Sequence, residues 1–259
     1  MIAPLDLSPQ SAVAMVQGWL FHVDHLDRYP VDTRTLADRP RATRSVRARL
    51  DELLQRSSLP LDQPRPYAVR VGGTCRDYAL LTTALLREGG FEARVRCGFA
   101  DYLSEGRWED HWVCEYRCGR DDHNEDASGL VDRPGWDRSR WRIADAQIDG
   151  VHRSMLGVAF NAADVPRERF VMGDDAARTV LRGEREADAF GHGDARGEWF
   201  VVVNLCRDVL ALTGRETSAW DAWRDATLAE RSSVRLAHYA QLVRSSAPVD
   251  VPEPLWMPG

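Results

Sequence analysis

Lysine is missing from this chain: all 34 of its basic residues are arginine. Genomic base composition accounts for the replacement of one cation by the other. Its chemical consequence is that no side chain offers a primary amine for acylation or self-crosslinking. Positive charge is also in deficit, with 34 basic against 40 acidic residues, so a basic face for nucleic acid is not expected. No stretch approaches the roughly 20 consecutive apolar residues that a membrane span requires. The opening Met1-Ile2-Ala3-Pro4-Leu5-Asp6 has no basic cluster leading into an apolar segment, so no secretory signal and a cytoplasmic location are expected. Cysteine is scarce and odd in number: five, at 75, 97, 114, 118 and 206, which argues against a disulfide framework. Cys114 and Cys118 have no second pair at zinc-ligand spacing, so no metal site is expected. Four of the five read as buried small hydrophobes; Cys75 is set apart below. Repeats and low-complexity linkers are absent too.

What is present suits a globular domain, with 44% hydrophobic residues and enough length to bury a core. A helix is predicted over 8–28, capped by Ser8, with Pro9 in its first turn and a stripe of Val13, Val16, Leu20 and Val23. A second is predicted around 43–55 on Val46, Leu50, Leu53 and Leu54, ending in a proline-bearing loop from Ser57 to Pro66. From Cys75 to Glu88 the pattern is helical, and Gly89-Gly90 stops it. Its apolar residues point in almost every direction, which predicts burial on most sides. Strands are expected at 94–99, 111–116 and 141–148, with a long polar loop over 119–140. After Asp149 the chain turns helical, notably at Trp199–Leu212 and Thr227–Val243. An exposed excursion is expected at 173–198 and an extended tail from Pro248. Helices, then strands, then helices argue for an α+β class.

The chemistry gathers around Cys75. It follows Gly72-Gly73-Thr74 and opens the buried helix, where the positive end of the helix dipole favours a thiolate. The preceding glycines are expected to turn the chain sharply, leaving the cysteine amide to meet a bound carbonyl. A thiolate nucleophile requires an imidazole, and the imidazole requires a group that fixes its tautomer. His111 in Asp110-His111-Trp112-Val113 and Asp145 in the following strand supply both, provided the two strands pair. Singly, each residue has a structural explanation; the combination is what points to catalysis. Trp108 and Trp112 are the tryptophans expected near substrate. Asp77 is expected to complement the helix dipole, and Arg94 and Arg96 to face water or a substrate carboxylate. His152 and His192 receive no role.

The segments Gly73-Thr74-Cys75-Arg76-Asp77-Tyr78-Ala79 and Phe91-Glu92-Ala93-Arg94-Val95-Arg96-Cys97-Gly98-Phe99 resemble the core of the transglutaminase-like superfamily. Asp110-His111-Trp112-Val113 and Asp145-Ala146-Gln147-Ile148-Asp149 resemble its histidine and aspartate strands, in the same order. The likeness covers about residues 65–150. The flanks, through Gln17-Gly18, Trp199-Phe200, Asn204-Leu205 and Trp220-Asp221-Ala222-Trp223, resemble a bacterial group within that superfamily. The resemblance implies a papain-like α+β fold, in which the cysteine helix is buried against an antiparallel sheet. It implies one domain over 1–259, with a core at 65–150 and helical flanks at 1–64 and 151–259. Cys75, His111 and Asp145 would be nucleophile, general base/acid and orienting residue, with no metal and no organic cofactor. Eukaryotic members use calcium, but the acidic run Asp121–Asp126 lacks EF-hand spacing and reads as a solvated loop. A second oxyanion donor is expected from Gln17, Trp19 or His22 on the first helix, with Gln17 also a candidate for substrate contact.

These readings lead to an acyl-transfer enzyme. Cys75 would attack an amide or thioester carbonyl and form a thioester acyl-enzyme. Water would then make the protein a hydrolase of peptide or amide bonds, the leading expectation. An amine would instead make it a transamidase or an amide-forming acyltransferase of small-molecule biosynthesis. A catalytically inactive interaction module on the same fold ranks below both, because all three candidate residues are present.

Overall fold

The computed structural model describes residues 5–32, 45–117, 140–215, 219–244 and 250–257. Helices and an antiparallel-rich sheet share the chain, which is the expected α+β class. The contacts sort into two compact units, each assembled from separated stretches: residues up to Arg94 with Val113–Pro166, and Val95–Trp112 with Arg167 onward.

The first unit opens with helix α1 (Pro9–Trp19), where Ser8 accepts a hydrogen bond from the Ser11 amide. The predicted helix over 8–28 stops nine residues early. Leu20–His22 forms strand β1 instead, with all three residues buried, and Val23–Arg28 follows as a short 3-10 turn. Three buried residues in a row cannot lie on one helical stripe, whereas a strand covered on both faces accommodates them. Helix α2 spans Val46–Arg56 and is capped by Ser45. Strand β2 (Val71–Gly73) pairs in parallel with β1, placing Leu20 opposite Val71 and His22 opposite Gly73. Helix α3 then runs over Cys75–Glu88, with the predicted bounds, and only its last two residues are exposed.

Strands β3 (Glu92–Ala100) and β4 (Trp108–Arg117) each begin in one unit and end in the other. Within the first unit, β5 (Trp141–Ala144) pairs antiparallel with the end of β4, Cys114 facing Ala144 and Arg117 facing Trp141. The predicted strand over 141–148 therefore ends at Ala144, and Asp145 lies in the turn beyond it. Helix α4 (Gly150–Leu156) is capped by Asp149 and closed by Gly157 in the left-handed region, φ 65°. The loop expected at 119–140 lies, apart from Arg140, outside the described residues, as does Cys118.

In the second unit the sheet adds β6 (Phe170–Met172) beside β3. It is followed by helix α5 (Gly173–Leu181), strand β7 (Phe190–His192) parallel to the start of β4, and strand β8 (Ala195–Arg196). Helix α6 (Glu198–Leu212) is the core, buried from Trp199 through Asp208. The region 173–198 is thus exposed only in part, at 181–186, 188 and 192–194. Gly173 passes so close to α6 that a Cβ there would sit 2.5 Å from the Asn204 carbonyl oxygen, and Ala176, Ala177 and Phe190 are fully buried. The predicted helix over Thr227–Val243 is broken into helix α7 (Leu228–Ser233), a 3-10 turn at Leu236–Tyr239 and helix α8 (Ala240–Arg244). The break falls where Val234 turns extended and is buried. The described tail from Asp250 has no regular element, as expected, and Trp256 in it is buried.

Candidate functional site

Cys75 is the first residue of α3, and its amide is one of the helix-terminal N–H groups that geometry leaves without an intrahelical acceptor. The turn into it is held from inside the first unit. The Thr74 amide donates to Asp77 Oδ2 at 2.8 Å, Arg49 Nε donates to Asp77 Oδ1 at 3.0 Å, and Arg49 donates to the Gly72 carbonyl at 2.8 Å. Asp77 therefore does more than complement the dipole: it ties Thr74 and Arg49 together below the cysteine. The two glycines serve close packing rather than a sharp turn. Neither has positive φ; a Cβ on Gly72 would lie 2.9 Å from Val23, and one on Gly73 3.1 Å from Leu20.

Cys75 is half-buried, whereas Cys97, Cys114 and Cys206 are buried. Burial pushes the Cys114 thiol up to about 12 and the Cys206 thiol well above its ordinary value. Among the described cysteines, only the one that opens α3 is not buried.

Asp145 is also in the first unit and is 2% exposed. Its amide donates to the Ala162 carbonyl at 2.7 Å, and its Oδ1 accepts from the Gln147 amide at 3.1 Å. The turn after β5 is thus built on this side chain. Gln147 Oε1 is buried without a hydrogen-bond partner among the described residues.

His111 belongs to the second unit, where it is 1% exposed on β4. Its ring stands edge-on to Tyr102 at 6.0 Å and to Phe170 at 6.3 Å. Both its neighbours along the strand are held by Arg207. That guanidinium donates to Asp110 at 3.1 Å and lies 5.8 Å from the ring centre of Trp112, while Asn204 also donates to Asp110 at 2.9 Å. Trp112 is buried; Trp108 is half-buried and packs against the α6 core.

Of the upstream candidates, Gln17 donates to the Ile148 carbonyl at 3.0 Å and Trp19 to the Leu61 carbonyl at 2.8 Å, so both spend a donor inside the unit. His22 is on β1, not on a helix, opposite Gly73. Its Nδ1 accepts from the Asp24 amide at 3.3 Å, which assigns the ring proton to Nε2.

The sequence reading passed over a group that the first unit assembles beside these residues. His25 stacks on His22 at 4.6 Å between ring centres, and His25 Nδ1 lies 3.0 Å from His152 Nε2. His152 Nδ1 lies 2.7 Å from Asp149 Oδ1. The available signal was Asp149-Gly150-Val151-His152, a carboxylate capping a helix three residues before a histidine. Among the described residues, no group of three or more His, Cys, Asp or Glu side chains is arranged to hold a metal ion, and no helix is long and apolar enough to cross a membrane. Comparison with family models, with curated proteins and with solved structures returned no match.

Proposed function

We propose that the chain is a cysteine-dependent acyl-transfer enzyme on a papain-like core of the transglutaminase-like kind. Cys75 is the nucleophile, His111 its general base and acid, and Asp145 the residue that orients the histidine. The observation that carries this reading is the setting of Cys75: the solvent-reaching cysteine of the described set, first in a fourteen-residue helix, on a turn fixed by Arg49 and Asp77. A helix N-terminus favours the thiolate and offers backbone amides to the oxyanion that forms when a carbonyl is attacked. The motif order Cys75, His111, Asp145 supports the same reading from the sequence side.

In this reaction Cys75 adds to an amide or thioester carbonyl. The tetrahedral oxyanion is held by the α3-terminal amides, with Nε2–H of His22 as second donor. His111 protonates the leaving group, and a thioester on Cys75 remains. Water attacking that thioester completes hydrolysis of a peptide or amide bond, which is the primary reading; an amine in its place makes a new amide. Lacking lysine, the chain supplies no side-chain amine to this second step.

Labelling with iodoacetamide across a pH series, read by peptide mass spectrometry, tests the assignment. Cys75 should react at least about 10-fold faster than Cys97, Cys114 and Cys206 at neutral pH, because only a thiolate attacks. His111→Ala and Asp145→Ala should move the pH at which its rate rises. A Cys75 no faster than Cys206 would remove the nucleophile, and with it the reading.

A further inference from the structure

Asp149, His152 and His25 form a directional chain. Asp149 Oδ1 accepts from both the amide and the ring of His152, at 2.9 and 2.7 Å, so the His152 proton is on Nδ1. Its Nε2 then carries a lone pair and accepts from His25 Nδ1–H at 3.0 Å. That leaves His25 Nε2 as the basic end of the chain. The far end is deep: His152 is 0% exposed and Asp149 5%, with Asp149 Oδ2 buried and lacking a hydrogen-bond partner among the described residues. The near end is half-buried at His25. A buried carboxylate that orients one imidazole, which orients another, fixes tautomers as a catalytic triad does.

The chain ends one stacked ring away from His22, on the strand that pairs with the residues leading into Cys75. His25 stacks on His22, His22 pairs with Gly73 two residues before the cysteine, and the His22 ring lies parallel to Tyr78 at 6.4 Å. Tyr78 follows Cys75 by three positions on α3, the spacing that puts two side chains on one helix face.

We propose that His25 is a second general base, serving the acyl acceptor while Cys75 carries the thioester, with His152 and Asp149 as its positioning residues. This rests on the reading of Cys75 as an acylated nucleophile. In the step, an acceptor bearing an O–H or N–H attacks the thioester carbon. The bond from acceptor to carbon forms, the bond from carbon to Cys75 Sγ breaks, and the sulfur leaves as thiolate. The acceptor proton passes to His25 Nε2, and the resulting imidazolium is balanced through His152 by Asp149.

The surroundings of His25 suit an acceptor's base better than a thiolate's partner. An imidazole paired with a thiolate must stay protonated, whereas burial and the neighbouring His152 lower the basicity of His25, outweighing Asp24 and Asp27 on its own segment. Arg28 acts in the same direction as His152. Among the described residues, further titratable groups near it are His22 on β1, Tyr78 on α3, Asp149 capping α4, and Tyr29; burial holds both tyrosines protonated at neutral pH.

Burst kinetics with p-nitrophenyl acetate test this. In the wild type, acylation should appear as a nitrophenol burst, and deacylation as the steady rate that follows. His25→Gln should keep the burst rate within about 2-fold while slowing the steady rate by about 10²-fold, the typical contribution of a positioned base. His152→Gln and Asp149→Asn should slow the steady rate in the same sense. Hydroxylamine, which attacks a thioester without base assistance, should restore turnover of His25→Gln. Burst and steady rate unchanged in His25→Gln, or both lost together without hydroxylamine rescue, would overturn the proposal while leaving the nucleophile standing. A wild type with no burst and no acetylated Cys75 would instead remove the nucleophile first and the second base with it.

Discussion

The two units differ in their most extended buried polar clusters, although the first also buries the pair of Arg49 with Asp77. In the second unit the cluster is made of permanent charges in ion pairs. Arg96 grips Asp208 at 2.7 and 2.8 Å and reaches Asp174 at 3.0 Å, and Arg207 binds Asp110 and Asp221, each at 3.1 Å. In the first unit the buried polar groups of the histidine cluster are titratable rings and a carboxylate with one oxygen left over. Closed pairs of fixed charge hold architecture, because removing one partner strands the other in a medium that solvates it poorly. Rings whose protons can move hold chemistry. The ion pairs of the second unit should therefore govern stability, and the histidine chain of the first should govern rate.

The largest effect expected on this contrast is catalytic. Cys75→Ser should lower any acyl-transfer activity by about 10³-fold or more, since catalysis beyond simple binding is lost with the nucleophile, and circular dichroism should show an intact fold. Next comes Arg96→Ala, which leaves Asp208 fully buried beside Asp174 with its cation gone. It should cost about 3–5 kcal/mol in a urea unfolding curve. His152→Gln should cost less than that, about 1–3 kcal/mol for a buried unsatisfied polar group, while its kinetic effect should exceed its effect on stability. Should Arg96→Ala alter rate but not stability, or His152→Gln the reverse, the contrast between the units would be wrong.

A smaller prediction concerns pH. His25 and His192 are displaced in opposite directions. Burial and His152 lower the first; a hydrogen bond to Glu109 at 3.0 Å raises the second, against its own partial burial. A raised histidine stabilises the fold below its unfolded value of about 6.5, and that contribution disappears as pH rises through its higher folded value. A lowered histidine does the reverse: the unfolded chain takes up the proton first, so stability falls as pH drops through about 6.5 toward the lower folded value. His192→Gln should therefore weaken the protein on the acid side only. The effect should stay under about 1 kcal/mol, because the pair is partly exposed and screened. His25→Gln should flatten the acid limb instead. Urea midpoints at pH 5, 6.5 and 8 (an interval of about 1.5 units, spanning the free histidine value) would read both signs.

How much of this was legible beforehand differs by region, for physical reasons. Helix α3 was readable end to end because its stop, Gly89-Gly90, and its burial over much of its surface both leave marks in sequence. Strand β1 was not: three residues are too few to show an alternating period, and Leu20 and Val23 continue the stripe of α1. His22 was for that reason placed on a helix. Asp145 was expected inside a strand because apolar alternation runs on through Ala146 and Ile148; the strand ends earlier because Asp145 caps its own turn. Region 173–198 is exposed only in part, despite its density of charge and glycine. Its charge at Asp174 is consumed by buried Arg96, and its Gly173 is there to let α5 touch α6. Charge looks like solvent exposure in a sequence unless its partner, here tens of residues away, is known. The chain from Asp149 through His152 to His25 was hidden by the same distance: His25 lies 127 positions before His152.

The most direct measurement is acid-quenched trapping of the acyl-enzyme. A chain without lysine has no side-chain amine to take up acetyl groups, so p-nitrophenyl acetate gives an unusually clean background here. The account predicts a single acetyl group, mapped by peptide mass spectrometry to Cys75, absent from Cys75→Ser and longer-lived in His25→Gln. Acetylation at another residue, or none at all on Cys75, would contradict it.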